Sequence, residues 1–320
     1  MIITSHDINY KDPLIKSLEN YFTKKGIEYV NITEEIESER GIRFSKENLL
    51  VLEKKFEIYD SSLFWRIPKI EIQEVNEINE FEIFNFNKFI NYYIEFLSQS
   101  SNSMVKHPYS SQAENKLIQH KLAHTLGFKV PKTFIGNDKS EVLDWFDDKV
   151  IFKPLQSHGV GNNSFIGPTI INRQELSELT ILSLPGIFQN FIEKKYEVRI
   201  ALWVNDYASC KIDQKSGDYG FDWRVWPKDE FHIELFTPPD SLISRCRKML
   251  QCLNLNFGVF DFIKGKDGNL YFLEVNPAGS YLFIELYCPA CKVFEKTIDF
   301  LLRKKIHPEK NISLDSFYVE

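Results

Sequence analysis

The chain has 320 residues and a mass of 37.7 kDa, with 43% hydrophobic and 26% charged residues, a globular composition large enough for two or three lobes. A net charge of −6 and a pI near 5.8 supply no global field for nucleic acid or an anionic membrane, so any polyanion must be met by a local site. No apolar run approaches the roughly 18 residues of a membrane span, residues 1–12 lack the basic and apolar regions of a signal peptide, and five cysteines are odd in number and too sparse for a disulfide scaffold; the expectation is a cytoplasmic protein with reduced thiols, no nucleic-acid partner and no membrane.

A β-like segment at residues 1–4, a helical pattern through Leu14, Leu18 and Phe22, and a strand-like segment at 27–32 make a βαβ opening. Residues 60–68 read as a strand stopped by Pro68, an apolar-periodic helix covers about 81–97, and the polar run 98–103 reads as a linker. Ser111 to Glu114 has a capping-box pattern opening a helix through Leu117, Leu122 and Leu126, closed by Gly127 with Pro131 just after. A strand at 130–135, a helix near 140–146 and the strand 150–154 follow, then the polar, glycine-containing loop 156–163. From Ile187 the pattern is mainly antiparallel strands, with helices near 241–252 and 290–304. The chain is thus an α/β (α+β) protein with an N-terminal βαβ-type domain (1–109), a small central lobe (110–188), a C-terminal antiparallel-sheet lobe (189–308) and a tail (309–320).

The hairpin over residues 257–276 carries the strongest chemical signal. Its two apolar strands flank a turn containing Asp267-Gly268, a strong hairpin signal. A symmetric turn pairs 266 with 269, which puts Asp261 directly across from Glu274, with Asn276 on the same face as Glu274. Opposed carboxylates destabilise a hairpin unless something compensates. A hard cation with oxygen ligands does so, and a few protein oxygens with positions left for phosphate and water describe Mg2+ serving a nucleotide. A surface hairpin with scattered acids is the plainer alternative.

Lys153 sits on a strand just ahead of the glycine-containing loop, where a lysine can hold phosphates while loop amides close over them. In the segment 189–203, Val198, Ile200, Leu202 and Val204 form a core face, and Glu197 and Arg199 point to the other side. An arginine aimed at a phosphate stabilises the charge that develops on phosphoryl transfer. Cys288-Pro-Ala-Cys291 has C-x-x-C spacing without a second pair or a His cluster, and His120 and His124 have the i, i+4 spacing of a metal pair without a third ligand, so neither reads as a metal or redox centre.

In their order, Asn115-Lys116, Phe152-Lys153-Pro154, the glycine loop, Gln189-Asn190-Phe191-Ile192, Glu197-Val198-Arg199, Asp261 and Glu274-Val275-Asn276-Pro277 resemble the ATP-grasp superfamily over roughly residues 105–305. The resemblance implies ATP and one or two Mg2+ as cofactors. By it Lys116, Lys153 and the loop residues His158, Gly159 and Gly161 would meet phosphates, Gln189, Asn190, Phe191 and Ile192 would border adenine, and Glu197 would face the ribose. Arg199 would steady the transferred phosphoryl group, and Asp261, Glu274 and Asn276 would hold the metal. Within the superfamily the chain is most similar to the graspetide ligases, the microviridin-type peptide macrocyclases, through Phe64-Trp65-Arg66-Ile67-Pro68, Asn115 to Gln119 with Gly127 to Pro131, and Asp222-Trp223-Arg224. Those ligases bind a precursor peptide by its leader, phosphorylate an Asp or Glu side chain, and let a Thr or Ser hydroxyl or a Lys amine attack the acyl phosphate. The resemblance implies such a partner, with dimerisation as a family-level expectation. Arg224, Asp222 and Arg66 would orient the acidic side chain, and Glu175 and Glu178 would contact a basic leader residue. A RimK-like ligase and a catalytically silent ATP-grasp scaffold are the competing readings.

Overall fold

A computed structural model describes residues 2–5, 13–31, 42–45, 48–51, 54–57, 62–65, 81, 84, 85, 88, 92, 103, 104, 113–146, 148–155, 167–178, 185–214, 227, 230–277, 279–302 and 313–318. Strand β1 (Ile2–Ser5), helix α1 (Pro13–Lys25) and strand β2 (Tyr29–Asn31) form the expected βαβ unit, with β1 and β2 parallel. Helix α1 buries Leu14, Ile15, Leu18, Tyr21 and Phe22 on one face, and it ends on Lys24 and Lys25, which suit the negative end of the helix dipole. Gly26 then takes φ +64°, a left-handed stop open to glycine.

Strands β3 (Ile42–Ser45), β4 (Asn48–Val51) and β5 (Lys54–Glu57) make a separate antiparallel meander that no sequence signal marks. Strand β6 (Ser62–Trp65) pairs parallel to β1, and β7 (Ser103–Met104) pairs parallel to β6. Ser103, read as linker, is therefore the first residue of a strand. Phe81, Phe84, Asn85, Lys88 and Tyr92 are helical, as the periodicity predicts.

Helix α2 (Lys116–Thr125) is capped by Asn115, whose side chain accepts from the Leu117 and Ile118 amides at 3.0 and 3.3 Å. The cap thus lies later than the expected capping box, whose Ser111 is outside the described residues. Leu117 is exposed, and the helix buries Gln119 and Ala123 instead. Gly127, at φ +74°, closes it. Strand β8 (Thr133–Gly136), helix α3 (Lys139–Trp145), strands β9 (Val150–Pro154) and β10 (Thr169–Ile171), helix α4 (Arg173–Glu178) and strand β11 (Gly186–Asn190) follow. They build an antiparallel sheet in the order β10-β9-β11-β8. One face packs Val150, Phe152 and Phe188 on the Val142, Phe146 and Leu176 side chains. Strand alternation sends Thr133, Ile151, Lys153 and Gln189 to the other face.

The larger sheet, β14-β13-β12-β15-β16, comprises β12 (Lys194–Trp203), β13 (Tyr207–Gln214), β14 (Phe231–Leu235), β15 (Phe257–Gly265) and β16 (Leu270–Asn276). Val198, Ile200, Leu202, Phe260 and Phe262 pack on helix α5 (Asp240–Cys252) and on α2. Val204, expected on that face, is past the strand end and exposed. The opposite face is apolar at one end, where Ala201, Trp203, Val259 and Phe257 are covered by α1, α6 (Leu282–Tyr287) and α7 (Val293–Leu302). At its other end the same face turns polar, with Glu197, Arg199 and Asp261. Among the described residues no helix is long and apolar enough to cross a membrane.

Candidate active site

Two adjacent strands and a third create the polar end of that face. Arg199 on β12 pairs directly with Asp261 on β15, and Asp261 pairs with Glu274 on β16. The last pairing is the one expected from the sequence, but the hairpin reaches it by another route. The turn is not a symmetric one between 266 and 269: the Gly265 amide bonds the Asn269 carbonyl at 2.9 Å around a three-residue loop, with Gly268 at φ +83°. That loop leaves Phe262 opposite Phe272. A β-bulge at Leu273 then takes up the odd residue, so that Asp261 faces Glu274 after all and Val259 faces Asn276.

Arg199 is 9% exposed and its guanidinium forks, Nη1 donating to Asp261 Oδ1 at 2.6 Å and Nη2 to the Ser280 carbonyl at 2.7 Å. Its Nε is buried with no hydrogen-bond partner among the described residues. Asn276 Nδ2 donates to both carboxylates, 3.1 Å to Asp261 Oδ2 and 3.0 Å to Glu274 Oε1. Lys116, in the first turn of α2, donates to Glu274 Oε2. Burial pushes the Glu274 carboxyl up, but the Lys116 ammonium, with Asn276 and Lys153, outweighs it and holds Glu274 well below the usual glutamate range. Two carboxylates and an amide thus present a compact set of hard oxygen donors, and an orphaned guanidinium N–H lies beside them. That donor set fits Mg2+ together with a phosphate group.

Facing it on the smaller sheet, Lys153 Nζ donates to Gln189 Oε1 at 2.8 Å. Asn190 is tied to the Lys132 backbone, accepting from its amide at 2.6 Å, and the Phe191 amide bonds the Lys149 carbonyl at 3.1 Å. Residues 191–193 are the irregular link between β11 and β12, with Ile192 against Gly265 of the hairpin. Glu197 pairs with Lys194 at 2.6 Å.

Gln119, the end of the Asn115–Gln119 motif, has a role that the sequence did not assign to it. Wholly buried, it donates to the Val275 carbonyl at 2.8 Å and accepts from the Val275 amide at 3.1 Å. It thereby clamps α2 onto the backbone of β16 between Glu274 and Asn276. Its signals in the sequence are its place in that motif and its position three residues after Lys116, on the apolar side of a helix.

Glu175 makes a reciprocal cap with Asn172, accepting from its amide at 2.9 Å while the Glu175 amide bonds Asn172 Oδ1 at 2.8 Å, and Glu178 accepts from Gln174 at 3.0 Å. Both are on the exposed side of α4, apart from the carboxylate cluster. His158, Gly159, Gly161, Asp222, Arg224 and Arg66 lie outside the described residues. All five cysteines are free. Burial pushes the Cys210 thiol, behind Arg199, up to about 12, so it is no nucleophile at neutral pH. No group of three or more His, Cys, Asp or Glu that could by itself hold a metal occurs among the described residues.

Two antiparallel sheets with a lysine-bearing small lobe, an irregular link between them and an acidic patch on the large sheet define the ATP-grasp fold, and this chain has it. Among solved structures it is similar to a RiPP-associated ATP-grasp ligase of Chryseobacterium gregarium in complex with ADP and a leader and core peptide, at TM-score 0.77 and 22% identity, covering 97% of this chain and 99% of that one. It is also similar to the macrocyclase MdnC of Microcystis aeruginosa bound with its precursor peptide MdnA (TM-score 0.75, 16% identity, 95% and 99% covered), and more distantly to a D-alanine–D-alanine ligase of Bacillus anthracis (TM-score 0.57, 15% identity, 94% and 95% covered). No family model matches the sequence, and comparison with curated protein sequences gives no match.

Proposed function

We propose that this chain is an ATP-dependent ligase that phosphorylates Asp or Glu side chains of a ribosomal precursor peptide and closes side-chain ester or amide rings. The observation that carries the reading is the convergence of Asp261, Glu274 and Asn276 with Arg199 and Lys116 on one patch opposite Lys153. The peptide ligases among the similar structures support the choice of acceptor.

A carboxylate is a poor electrophile, and transfer of a phosphoryl group makes one of its oxygens a good leaving group. Asp261, Glu274 and Asn276 would hold one or two Mg2+, which neutralise charge on the phosphates when bound. Lys116 and Lys153 bind phosphate oxygens from opposite sides of the cleft. Gln189, Asn190, Phe191 and Ile192 line the adenine end, Glu197 faces the ribose, and His158, Gly159 and Gly161 belong to the loop over the phosphates. Arg199, held by Asp261 and Ser280, has further N–H groups to offer the phosphoryl group in flight. Arg224, Asp222 and Arg66 orient the substrate carboxylate, and Glu175 and Glu178 serve the leader. A Thr or Ser hydroxyl or a Lys amine of the peptide then attacks the acyl phosphate, and phosphate leaves. No protein nucleophile is needed, in keeping with the inert Cys210. The reading makes the chain a cytoplasmic enzyme whose partner is a leader-bearing peptide.

Incubation with the precursor peptide, ATP and Mg2+, followed by mass spectrometry, tests this: the peptide loses one water per ring. A gain of one amino-acid residue instead assigns a RimK-like carboxylate–amine ligase, and no mass change with a genuine precursor overturns both.

A further inference from the structure

His120 lies one helical turn after Lys116 on α2, and none of the roles above uses it. Its Nε2 is 3.3 Å from Gln189 Nε2, and the polarity of that contact is fixed from its far end. Lys153 is a donor only, so Gln189 Oε1, 2.8 Å from Lys153 Nζ, must face the lysine, and the amide NH2 must face away. That NH2 is also 3.0 Å from Thr133 Oγ1, whose own proton goes to the Pro131 carbonyl at 2.8 Å, leaving only lone pairs for Gln189. An NH2 group pointing at His120 bonds the ring only if Nε2 carries no proton.

We propose that His120 is a positioning residue for Lys153: held as the Nδ1–H tautomer, its bare Nε2 anchors the Gln189 amide, which aims the Lys153 ammonium into the phosphate site. The proposal rests on reading Lys153 as a phosphate-binding lysine. The charges around the ring support it. Burial, then the Lys153 and Lys116 ammonium groups, lower the imidazole pKa to about 4. Helix α2 contributes Lys116 and, one turn on, His124, while β9 contributes Lys153. Strands β8 and β11 offer Thr133 and Gln189, which do not titrate. Glu274, the carboxylate on the far side of Lys116, is already ion-paired to it. Protonated, the ring would set a donor against a donor beside two cations, and Gln189 could not keep its oxygen toward Lys153.

Long-range 1H–15N correlation spectra of the unmodified labelled protein test the tautomer directly. The expected result is an Nδ1–H imidazole for His120 that stays neutral from pH 8 down to about 5. An Nε2–H ring, or titration near 6.5, overturns the proposal. Calorimetric titration with Mg-ADP tests the consequence: His120→Leu weakens binding about tenfold, whereas His120→Gln, whose Oε1 replaces the Nε2 acceptor, stays within about threefold of the parent. Adding Lys153→Met to His120→Leu costs less than Lys153→Met alone, because the two act through one contact. Equal loss in the Leu and Gln variants, or none in either, overturns the positioning role. Failure of the peptide to change mass while these results hold removes only the proposed substrate; failure of the parent protein to bind Mg-ADP removes the site reading itself.

Discussion

Lys116 and Glu274 are 158 positions apart in the sequence and form an ion pair where α2 meets β16. The ammonium and the Asn276 amide together compensate two carboxylates that would otherwise repel across the hairpin. Glu274→Gln removes a negative charge from the proposed metal set, and Asn276→Ala removes the group spanning both acids. We expect each to lower Mg-ATP turnover at least about a hundredfold while the far-UV circular dichroism spectrum is unchanged. Normal ADP release by both variants would remove the metal assignment.

Arg199 reaches Asp261 and the Ser280 carbonyl with two different nitrogens, a fork that lysine cannot reproduce. Arg199→Lys should therefore lower kcat by about 10²–10³ with Mg-ADP affinity changed far less, read by steady-state ADP release beside calorimetric titration. Equal loss in both would make Arg199 a ground-state ligand.

Glu285 is 5% exposed and accepts backbone N–H groups from Phe294 at 2.7 Å and Leu314 at 3.1 Å, joining α6, α7 and the C-terminal turn. Burial raises its pKa, against the pull of those two bonds. Between the ordinary glutamate value and the raised one the folded chain holds more proton than the unfolded chain, so this group's contribution to stability falls as pH rises through that window. Glu285→Gln should flatten that part of the slope in thermal melts. It should also cost about 1–3 kcal/mol near neutral pH, because an amide accepts at one end only and leaves one N–H unmet.

Gly258 lies in β15 where an added Cβ would stand 2.8 Å from Val275 Cγ2 and 2.9 Å from Leu250 Cδ2. Both atoms belong to packed core side chains. Gly258→Ala should cost about 1–3 kcal/mol of stability by overpacking, seen as a lower Tm. Unchanged melting would mean that α5 yields more easily than its buried Leu250 suggests.

Periodicity made the βαβ opening, α1, β9 and the large sheet legible, because apolar spacing there agrees with burial on one face. The β3–β5 meander was not: Arg43, Lys54 and Lys55 interrupt any clean alternation, and its turns carry no Gly or Pro. On β12 the alternation was read as one core face, yet Ala201 and Trp203 on the other side are also buried, since α1 and α7 cover that end. At the candidate site, local sequence singled out Asp261, Glu274, Asn276, Arg199 and Lys153 as residue types and spacings suited to a nucleotide's phosphates and metal. The contacts among the first four lie within the large sheet, whereas the Lys116–Glu274 pair and the Gln119 clamp depend on α2 crossing β16, and the His120 contact on α2 meeting β11. A pair of histidines at metal spacing was the visible pattern, whereas the polarity of the His120 contact comes from Thr133, Gln189 and Lys153 on three other strands.

The bulge at Leu273 and the three-residue turn are two register changes of opposite sense, and the facing of Asp261 and Glu274 depends on their sum. With the three-residue turn kept and the pairing regular beyond Phe262 and Phe272, Leu273 would stand opposite Asp261 and Glu274 opposite Phe260. A two-residue turn at 267–268 without the bulge reaches the same facing of Asp261 and Glu274 with the same number of residues, so sequences built on this hairpin should exchange turn and bulge together without any gap. Loss of the bulge alone, with the turn unchanged, would instead leave such a sequence perfectly aligned at Asp261 and Glu274 while its two carboxylates no longer face each other.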